Sequence, residues 1–420
     1  MIGIKRYDEL IGEFLVLLLT ISIVLDPTDQ WFHLKVPLFI LCFFYNLKSK
    51  QLSSIWIPIV FFIVFFVTYL FQKFNYFVLV NLAAVRATFK TFLFSLLVVG
   101  ITNKNKTKLF KAFFVVVLFQ SSFCVFLSLL LRINYQLATR IISLIPNTTY
   151  GYDYNFMVTQ RSFIGIELFG IYYKTSPLAT LALAFSSYIF LFYKKKQYLI
   201  YSLIFILFLF FSSTRANVLA ALIIPSFMIV YFLIIKKRFV LAELILIILM
   251  GLALILFLKF VSDKGDFSLN IKALHRMSYK EIFQANPLRY VFVGEGPGSL
   301  FFTKAVNEYW TNTELSYYDL IRNYGLVFSI IIMLVFLFPL LKYCILKNKA
   351  LYISVSFGYI VYLLIAATNP YLLSSTGFFM YTIVFYISKI DPIKEVEVCF
   401  QKKNKWRNIL LKFNANIGGN

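Results

Sequence analysis

Arginine is the side chain whose placement most suggests chemistry in this chain. Arg276 and Arg289 lie in the longest polar stretch, residues 261–325. Arg161 opens the run RSFIGIELFG, and Arg215 sits in the short polar turn SSTRAN. A guanidinium is permanently charged and presents a planar fork suited to phosphate oxygens. Several of them on one side of a scaffold suit an anionic substrate such as a lipid diphosphate. The competing reading, for any one arginine, is solvated or headgroup-contacting charge. Arg215 is the exception, because a short connection between two apolar runs leaves it little freedom.

The stretch 261–325 holds further candidates. Glu314, in TNTELSYYDLIRNYG, precedes an apolar run by about one helical turn. It is either a general base or a cap for the helix that follows, a role for which Thr311, Thr313 and Ser316 also qualify. His275 is a second candidate base, or a plain loop residue. Tyr309, Trp310, Tyr317 and Tyr318 either stack on sugar rings or belong to an interfacial aromatic belt. Asp319 and Arg322, three residues apart, read as a pair on a helix surface. The run Gly294-Glu295-Gly296-Pro297-Gly298 reads as a tight turn that shapes a site, with Gly supplying positive φ and Pro rigidity. It is not a dinucleotide fingerprint, since its glycine spacing is wrong and no strand–helix–strand unit surrounds it. Arg86 and Lys90 sit one turn apart inside an apolar run, where charge is costly and marks a substrate-binding candidate unless it snorkels outward.

Familiar catalytic signatures are absent: no Walker A, no HExxH, no CxxC and no GxSxG pattern. The only histidines are His33 and His275, which excludes a His-rich metal site. Asp263 and Asp266 flank a glycine and make no compelling metal pair. No metal or cofactor is expected.

What must position these residues is a membrane scaffold. The chain has 420 residues, of which 60% are hydrophobic and 14% charged. One soluble core cannot bury that much apolar surface. Twelve apolar runs are legible, at about 9–25, 32–47, 54–72, 79–101, 111–131, 176–193, 197–212, 216–235, 239–259, 319–341, 350–367 and 371–388. The expected fold is an all-α polytopic membrane protein of about 12 spans. The net charge of +23 is concentrated in short clusters between runs. These clusters fall on alternate connections and on a basic tail, 389–420, which is the positive-inside pattern. Both termini are then cytoplasmic, and the long segments 132–175 and 261–318 face outward. The tail reads as a topology anchor touching anionic lipid, not as a nucleic-acid binder. Cys42 and Cys124 fall in spans, Cys344 near a basic connection and Cys399 in the tail, so no disulfide framework is expected. The first run holds Glu13 and lacks a cleavage site, so it reads as a retained span.

Taken together, these motifs resemble the O-antigen polymerase and O-antigen ligase superfamily over roughly residues 75–385. Three segments carry the likeness. RSFIG, with Arg161 and Gly165, is similar to the family's Arg-x-x-x-Gly stretch before a span. STRANVLAALI, with Arg215, is similar to its Ser-x-Arg segment. The third runs from HRMSYKEIF through NPLRYVFVGEGPGSLF to TELSYYDLIRNYG and resembles its large-loop motifs. Ligases of the superfamily typically carry His-Asn at the start of the following span. Here Glu314-Leu315 stands there, with Gly325 at the matching distance beyond, so the resemblance favours the polymerase branch.

That resemblance implies a membrane-type (GT-C-like) glycosyltransferase of the bacterial inner membrane. It would join undecaprenyl-diphosphate-linked oligosaccharide repeat units at the periplasmic face and release undecaprenyl diphosphate. In that scheme Arg215, Arg276 and Arg289 hold the diphosphate, Arg161 positions the donor, and Glu314 or His275 is the base. A chain-length regulator would be a further partner. The alternatives are a ligase transferring glycan to a lipid A core, and a lipid-linked oligosaccharide flippase, which would not need so long an outer loop.

Overall fold

A computed structural model describes residues 2–47, 54–74, 78–100, 106–144, 155–163, 166–212, 214–248, 251, 267–344, 349–367, 369 and 371–388. The expectations that fall on Gly165, Asp263, Asp266, Cys399, the far half of the ninth run and the tail 389–420 lie outside the described residues. So does the Arg161 side chain.

The apolar runs are helices. The first four are α1 (Ile2–Leu25), α2 (Lys35–Leu47), α3 (Trp56–Phe74) and α4 (Leu82–Gly100). Next come α5 (Lys106–Ile133) and a short amphipathic α6 (Tyr135–Ser143). After a hairpin follow α7 (Ser176–Tyr193), α8 (Lys196–Phe211), α9 (Arg215–Ile235) and α10 (Phe239–Ile248). The polar stretch folds as α11 (Phe267–Ala285) and α12 (Pro287–Phe292), then a second hairpin. The chain closes with α13 (Ser316–Tyr343), α14 (Lys349–Ala366) and α15 (Ser375–Ile387). Among the described residues each expected run overlaps an apolar helix, the ninth over its first half alone, and six of these helices are long and apolar enough to cross a membrane.

The all-α expectation needs one amendment. Both long polar segments contain antiparallel strand pairs among the described residues. In the first, β1 (Phe156–Phe163) pairs with β2 (Ile166–Tyr173), Phe156 opposite Tyr173. In the second, β3 (Phe301–Thr303) pairs with β4 (Glu308–Trp310).

The centre of the bundle is α7 and α15. Residues 179–189 and 376–387 are buried on every face, as expected of helices apolar all round. Small residues make this packing close, the usual device where lipid removes the hydrophobic drive between helices. A Cβ on Gly358 of α14 would stand 2.7 Å from the Ala184 Cβ and 2.9 Å from the Thr180 carbonyl oxygen of α7. Ser202 of α8 donates to Ser186 of α7 at 2.9 Å. The outside of the bundle is apolar, with Phe14, Phe44, Phe66, Phe119 and Leu364 exposed. A soluble surface would not carry so continuous a patch. Glu13 pairs with Lys108 where α1 meets α5.

The first hairpin is clasped to the end of α1. Asp26 accepts from the backbone N–H groups of Gln30, Trp31 and Phe32 and from the Asn155 amide. Asn155 in turn accepts from Thr28 through both its N–H and its hydroxyl. On the other side β2 lies on α5, where the Ile171 N–H donates to Ser128 at 3.2 Å. Gly170 lies so close to the end of α8 that a Cβ would stand 1.7 Å from the Phe211 carbonyl oxygen.

Candidate functional site

One arginine of α13 gathers much of the polar stretch 267–325 onto the start of that helix. Arg322 is fully buried in α13. Its Nη1 donates to Glu295 Oε2 at 3.1 Å, to the Ser299 carbonyl at 3.0 Å and to Ser299 Oγ at 2.6 Å. Its Nη2 donates to the Thr311 carbonyl and lies 3.7 Å from Asp319. The guanidinium also stands over the Phe301 ring, 4.5 Å from its centre. Arg322 thus joins four separate pieces of the stretch with one rigid fork, which suits its fixed donor geometry.

Asp319, one turn earlier, is also buried. It accepts from Tyr279 Oη at 2.5 Å and from the Thr313 N–H at 2.7 Å. Burial, with the Asp319 charge adding to it, pushes the Tyr279 phenol well above its ordinary range. The Tyr290 phenol is pushed up the same way, by burial and then by Glu295, to which it donates at 2.5 Å. Both phenols therefore stay protonated and donate to carboxylates. The expectation of a surface pair at Asp319 and Arg322 is corrected: both lie inside, because the polar stretch folds back over the start of α13.

The Gly294–Gly298 run is a turn, as expected, and its glycines are required. Gly294, Gly296 and Gly298 have φ of +67°, +88° and +74°. Gly294 meets Gly325, where α13 breaks at φ +75° and ψ 163°. A Cβ on Gly294 would lie 2.5 Å from the Arg322 carbonyl oxygen, and one on Gly325 would lie 2.6 Å from the Phe292 carbonyl carbon. The break leaves carbonyls without helical partners. The turn supplies them, with the N–H of Glu295 donating to Arg322 and that of Gly296 to Asn323, at 2.7 and 2.9 Å. On its far side Gly298 sits against Val85 of α4, and Asn81 donates to its carbonyl.

Beside this cluster, where α4, α13 and α15 begin, is a cavity of about 340 Å³. Small-molecule pockets are typically about 300–1,000 Å³. Its polar lining includes Thr88, Thr91, Asn312, Ser316, Asp319 and Asn323. Ala84, Thr88 and Thr91 share one face of α4, at spacings of four and three residues. Leu372 and Leu373 close another wall.

The expected site residues divide among several places. His275 and Glu314 come together. His275 is buried on α11 with Nδ1 2.7 Å from Thr303 Oγ1, and Glu314 pairs with Lys272, one turn away, at 3.2 Å. Burial lowers the His275 pKa, against the pull of the nearby Glu314 charge. The Glu314 carboxylate is directed to Lys272, and the N-terminus of α13 has no side-chain cap hydrogen bond, from Glu314 or any other residue. Arg289 donates Nε to the Gly294 carbonyl at 2.9 Å, so it braces the turn. Arg276 is exposed on α11, and Arg215 is half-buried in the first turn of α9. Arg161 lies in β1 opposite Leu168. Arg86 and Lys90 are exposed on the face of α4 opposite the cavity. Tyr317 donates to the Leu363 carbonyl at 2.9 Å, and Tyr318 packs 5.3 Å from the Tyr279 ring. Tyr309 is exposed beside Phe302, and Trp310 is half-buried on the same hairpin. Among the described residues no three His, Cys, Asp or Glu side chains converge as a metal set would.

Arg322, Asp319, Tyr279, Glu295 and the two threonines of α4 were not singled out as site residues by sequence. One signal pointed to the first two. They flank Leu320 and Ile321 at the start of an apolar run, where unpaired charge is costly. Compared with protein-family models, with curated proteins and with solved structures, this chain matches none.

Proposed function

We propose that this protein is a membrane glycosyltransferase that polymerises lipid-diphosphate-linked oligosaccharide repeat units at the outer face of a bacterial cytoplasmic membrane. The observation that carries the reading is the polar cavity at the end of an apolar helix bundle, with a buried Asp–Arg cluster at its edge. It is bordered by hydroxyls, side-chain amides and one carboxylate, the groups that hold sugar hydroxyls. The motif resemblance to the O-antigen polymerases supports the same reading.

In this reading a hydroxyl of one repeat unit attacks the anomeric carbon of a second glycan, and undecaprenyl diphosphate leaves. Asp319 borders the cavity and is the carboxylate placed to take the hydroxyl proton. Tyr279 and Thr313 fix its orientation. Arg276, exposed on α11, helps neutralise the leaving diphosphate, with Arg215 assigned to it by the motif resemblance; Arg289 braces the turn. No metal enters the scheme.

The test has two parts. Deleting the gene in a lipopolysaccharide-making host should leave a single repeat on the core. Asp319→Asn, which preserves shape, should give the same pattern. Full-length glycan in Asp319→Asn would remove Asp319 from the chemistry, and a core with no repeat in the deletion strain would remove the polymerase reading. A ligase is the second reading, favoured by one observation: His275 returns an imidazole to the neighbourhood of Glu314, where sequence order alone had none. A ligase deletion leaves the core without any repeat. A flippase deletion does too, with the intermediate stranded inside.

A further inference from the structure

The polar cavity beside the Arg322 cluster carries a hydrogen-bond donor that the Asp319 mechanism does not use. Ser316, Asp319, Leu320, Asn323 and Tyr324 line it from α13, at the three- and four-residue spacings of one helix face. Asn323 is 8% exposed. Its Oδ1 accepts from Ser299 Oγ at 3.3 Å, and Ser299 Oγ itself accepts from Arg322 Nη1 at 2.6 Å. That chain of donors turns the amide oxygen toward Ser299. Among the described residues Nδ2 then has no partner, so the cavity wall holds an unspent N–H donor. A buried donor left unmet is costly.

One turn away stands an acceptor. Asp319 takes three donors, the Tyr279 hydroxyl and the N–H and hydroxyl of Thr313. An ionised carboxylate offers about four lone-pair sites, so one is left. Residues four apart on a helix have Cβ atoms about 5–6 Å from each other, close enough for the two side chains to hold neighbouring hydroxyls of one ring. Thr88 and Ser316 spend their own hydrogens on the Ala84 and Asn369 carbonyls, at 2.9 and 2.6 Å, and are left as acceptors.

The charge around the cavity narrows what it can take. Among the described residues no Lys, Arg or His lines it. At its edge one guanidinium, Arg322, is shared by two carboxylates, Asp319 and Glu295, so the cluster keeps one net negative charge. A phosphate or a sugar carboxylate in the cavity would face that charge with no cation to offset it. An uncharged ring meets no such cost, and its C–H faces suit Ala87, Leu372 and Leu373. The volume of about 340 Å³ is ample for one ring, since roughly 150 Å³ holds benzene.

We infer that this cavity is the subsite for the sugar that carries the attacking hydroxyl, that this sugar is uncharged, and that Asn323 and Asp319 bind its neighbouring hydroxyls as donor and acceptor. The attacking role rests on the polymerase reading; the neutrality of the ring and the role of Asn323 rest on the cavity. The diphosphate of the second glycan lies outside it.

The experiment uses the full chain in lipid nanodiscs and saturation-transfer NMR. The probes are the methyl glycosides of glucose, galactose, mannose and rhamnose, set against methyl glucuronide, methyl galacturonide and methyl phosphate. At least one neutral glycoside should receive saturation, and each anion should bind about tenfold more weakly or worse. Asn323→Leu, similar in size and without the donor, should weaken the neutral glycoside by about tenfold. Thr91→Val removes a hydroxyl from the α4 wall without touching Ser299. It should also weaken that glycoside, and it keeps the test decisive if the first variant fails to fold. Equal binding of a uronide or of methyl phosphate would overturn the neutrality of the site. Full affinity in folded Asn323→Leu would overturn the role of the amide, and saturation of no neutral glycoside would overturn the subsite itself. None of these results depends on glycan length, so the deletion pattern can refute the polymerase while the binding result stands.

Discussion

Asp26 and Asp319 are both buried carboxylates set where a helix ends or begins, and they are satisfied in opposite ways. Asp26 takes three backbone N–H groups from the turn just after it, plus the Asn155 amide. Asp319 takes one backbone N–H and, at 3.3 Å, the hydroxyl of Thr313, then a phenol, and an arginine at 3.7 Å. The first is a local turn organiser that also clasps a hairpin. The second ties α11, the 294–313 segment and a membrane helix into one charged unit. The neighbouring cavities differ in the same sense, apolar near Trp31 and polar near Asp319. A carboxylate filled by backbone donors has little left for a ligand. One held by side chains at a cavity edge keeps a lone pair for a substrate hydroxyl.

The contrast breaks most visibly at Arg322. Arg322→Leu strands the buried Asp319 carboxylate and the half-buried Glu295 carboxylate and should cost about 3–5 kcal/mol, read as a lower unfolding temperature in nanodiscs, together with loss of long glycan. A mild effect would mean that the charged cluster is not the fastening. Gly294→Ala should cost about 1–3 kcal/mol from strained backbone alone, with the same loss of glycan. Asp26→Ala should also cost about 1–3 kcal/mol by stranding buried donors, but protein that folds should still make full-length glycan. Shortened glycan there would erase the distinction between the two carboxylates.

A smaller effect concerns pH. Burial depresses the His275 pKa below its ordinary value of 6.5. The unfolded chain then binds the proton more readily, so stability is full above pH 6.5 and falls as the solution is acidified. His275→Gln should flatten that fall in unfolding scans between about pH 7 and 5. Arg276→Ala should change stability least, by about 0.5 kcal/mol or less. It should nevertheless shorten the glycan, and full-length product in both Arg276→Ala and Arg276→Lys would free Arg276 from any role at the diphosphate.

Sequence exposed the scaffold more fully than the site. Apolar runs mark helices because length and composition alone suffice, and the glycines of 294–298 announced a turn through the backbone freedom they allow. Asp319 and Arg322 were ambiguous, because an i, i+3 pair has the same spacing on a wet surface and in a dry interior. Only the return of residues 294–313 over α13 decides between them, and that contact is tertiary. Arg289 shows the reverse problem, since its charge suggested a ligand while its position binds a carbonyl five residues away. The first hairpin was legible in principle. FMVTQRSF and IELFGIYY hold β-branched and aromatic residues suited to strands, but neither alternates apolar with polar, so no period of two marked them.

The break at Gly325 also sets a depth. As one rod, the 28 residues of α13 would run about 42 Å at 1.5 Å per residue, well beyond a hydrocarbon layer of about 30 Å. Measured from Leu326 to Tyr343, the lower piece is about 27 Å long, close to that thickness. The lower piece alone is thus long enough to cross a hydrocarbon layer, so Asp319 and Arg322 need not lie in it and are covered by their own loop.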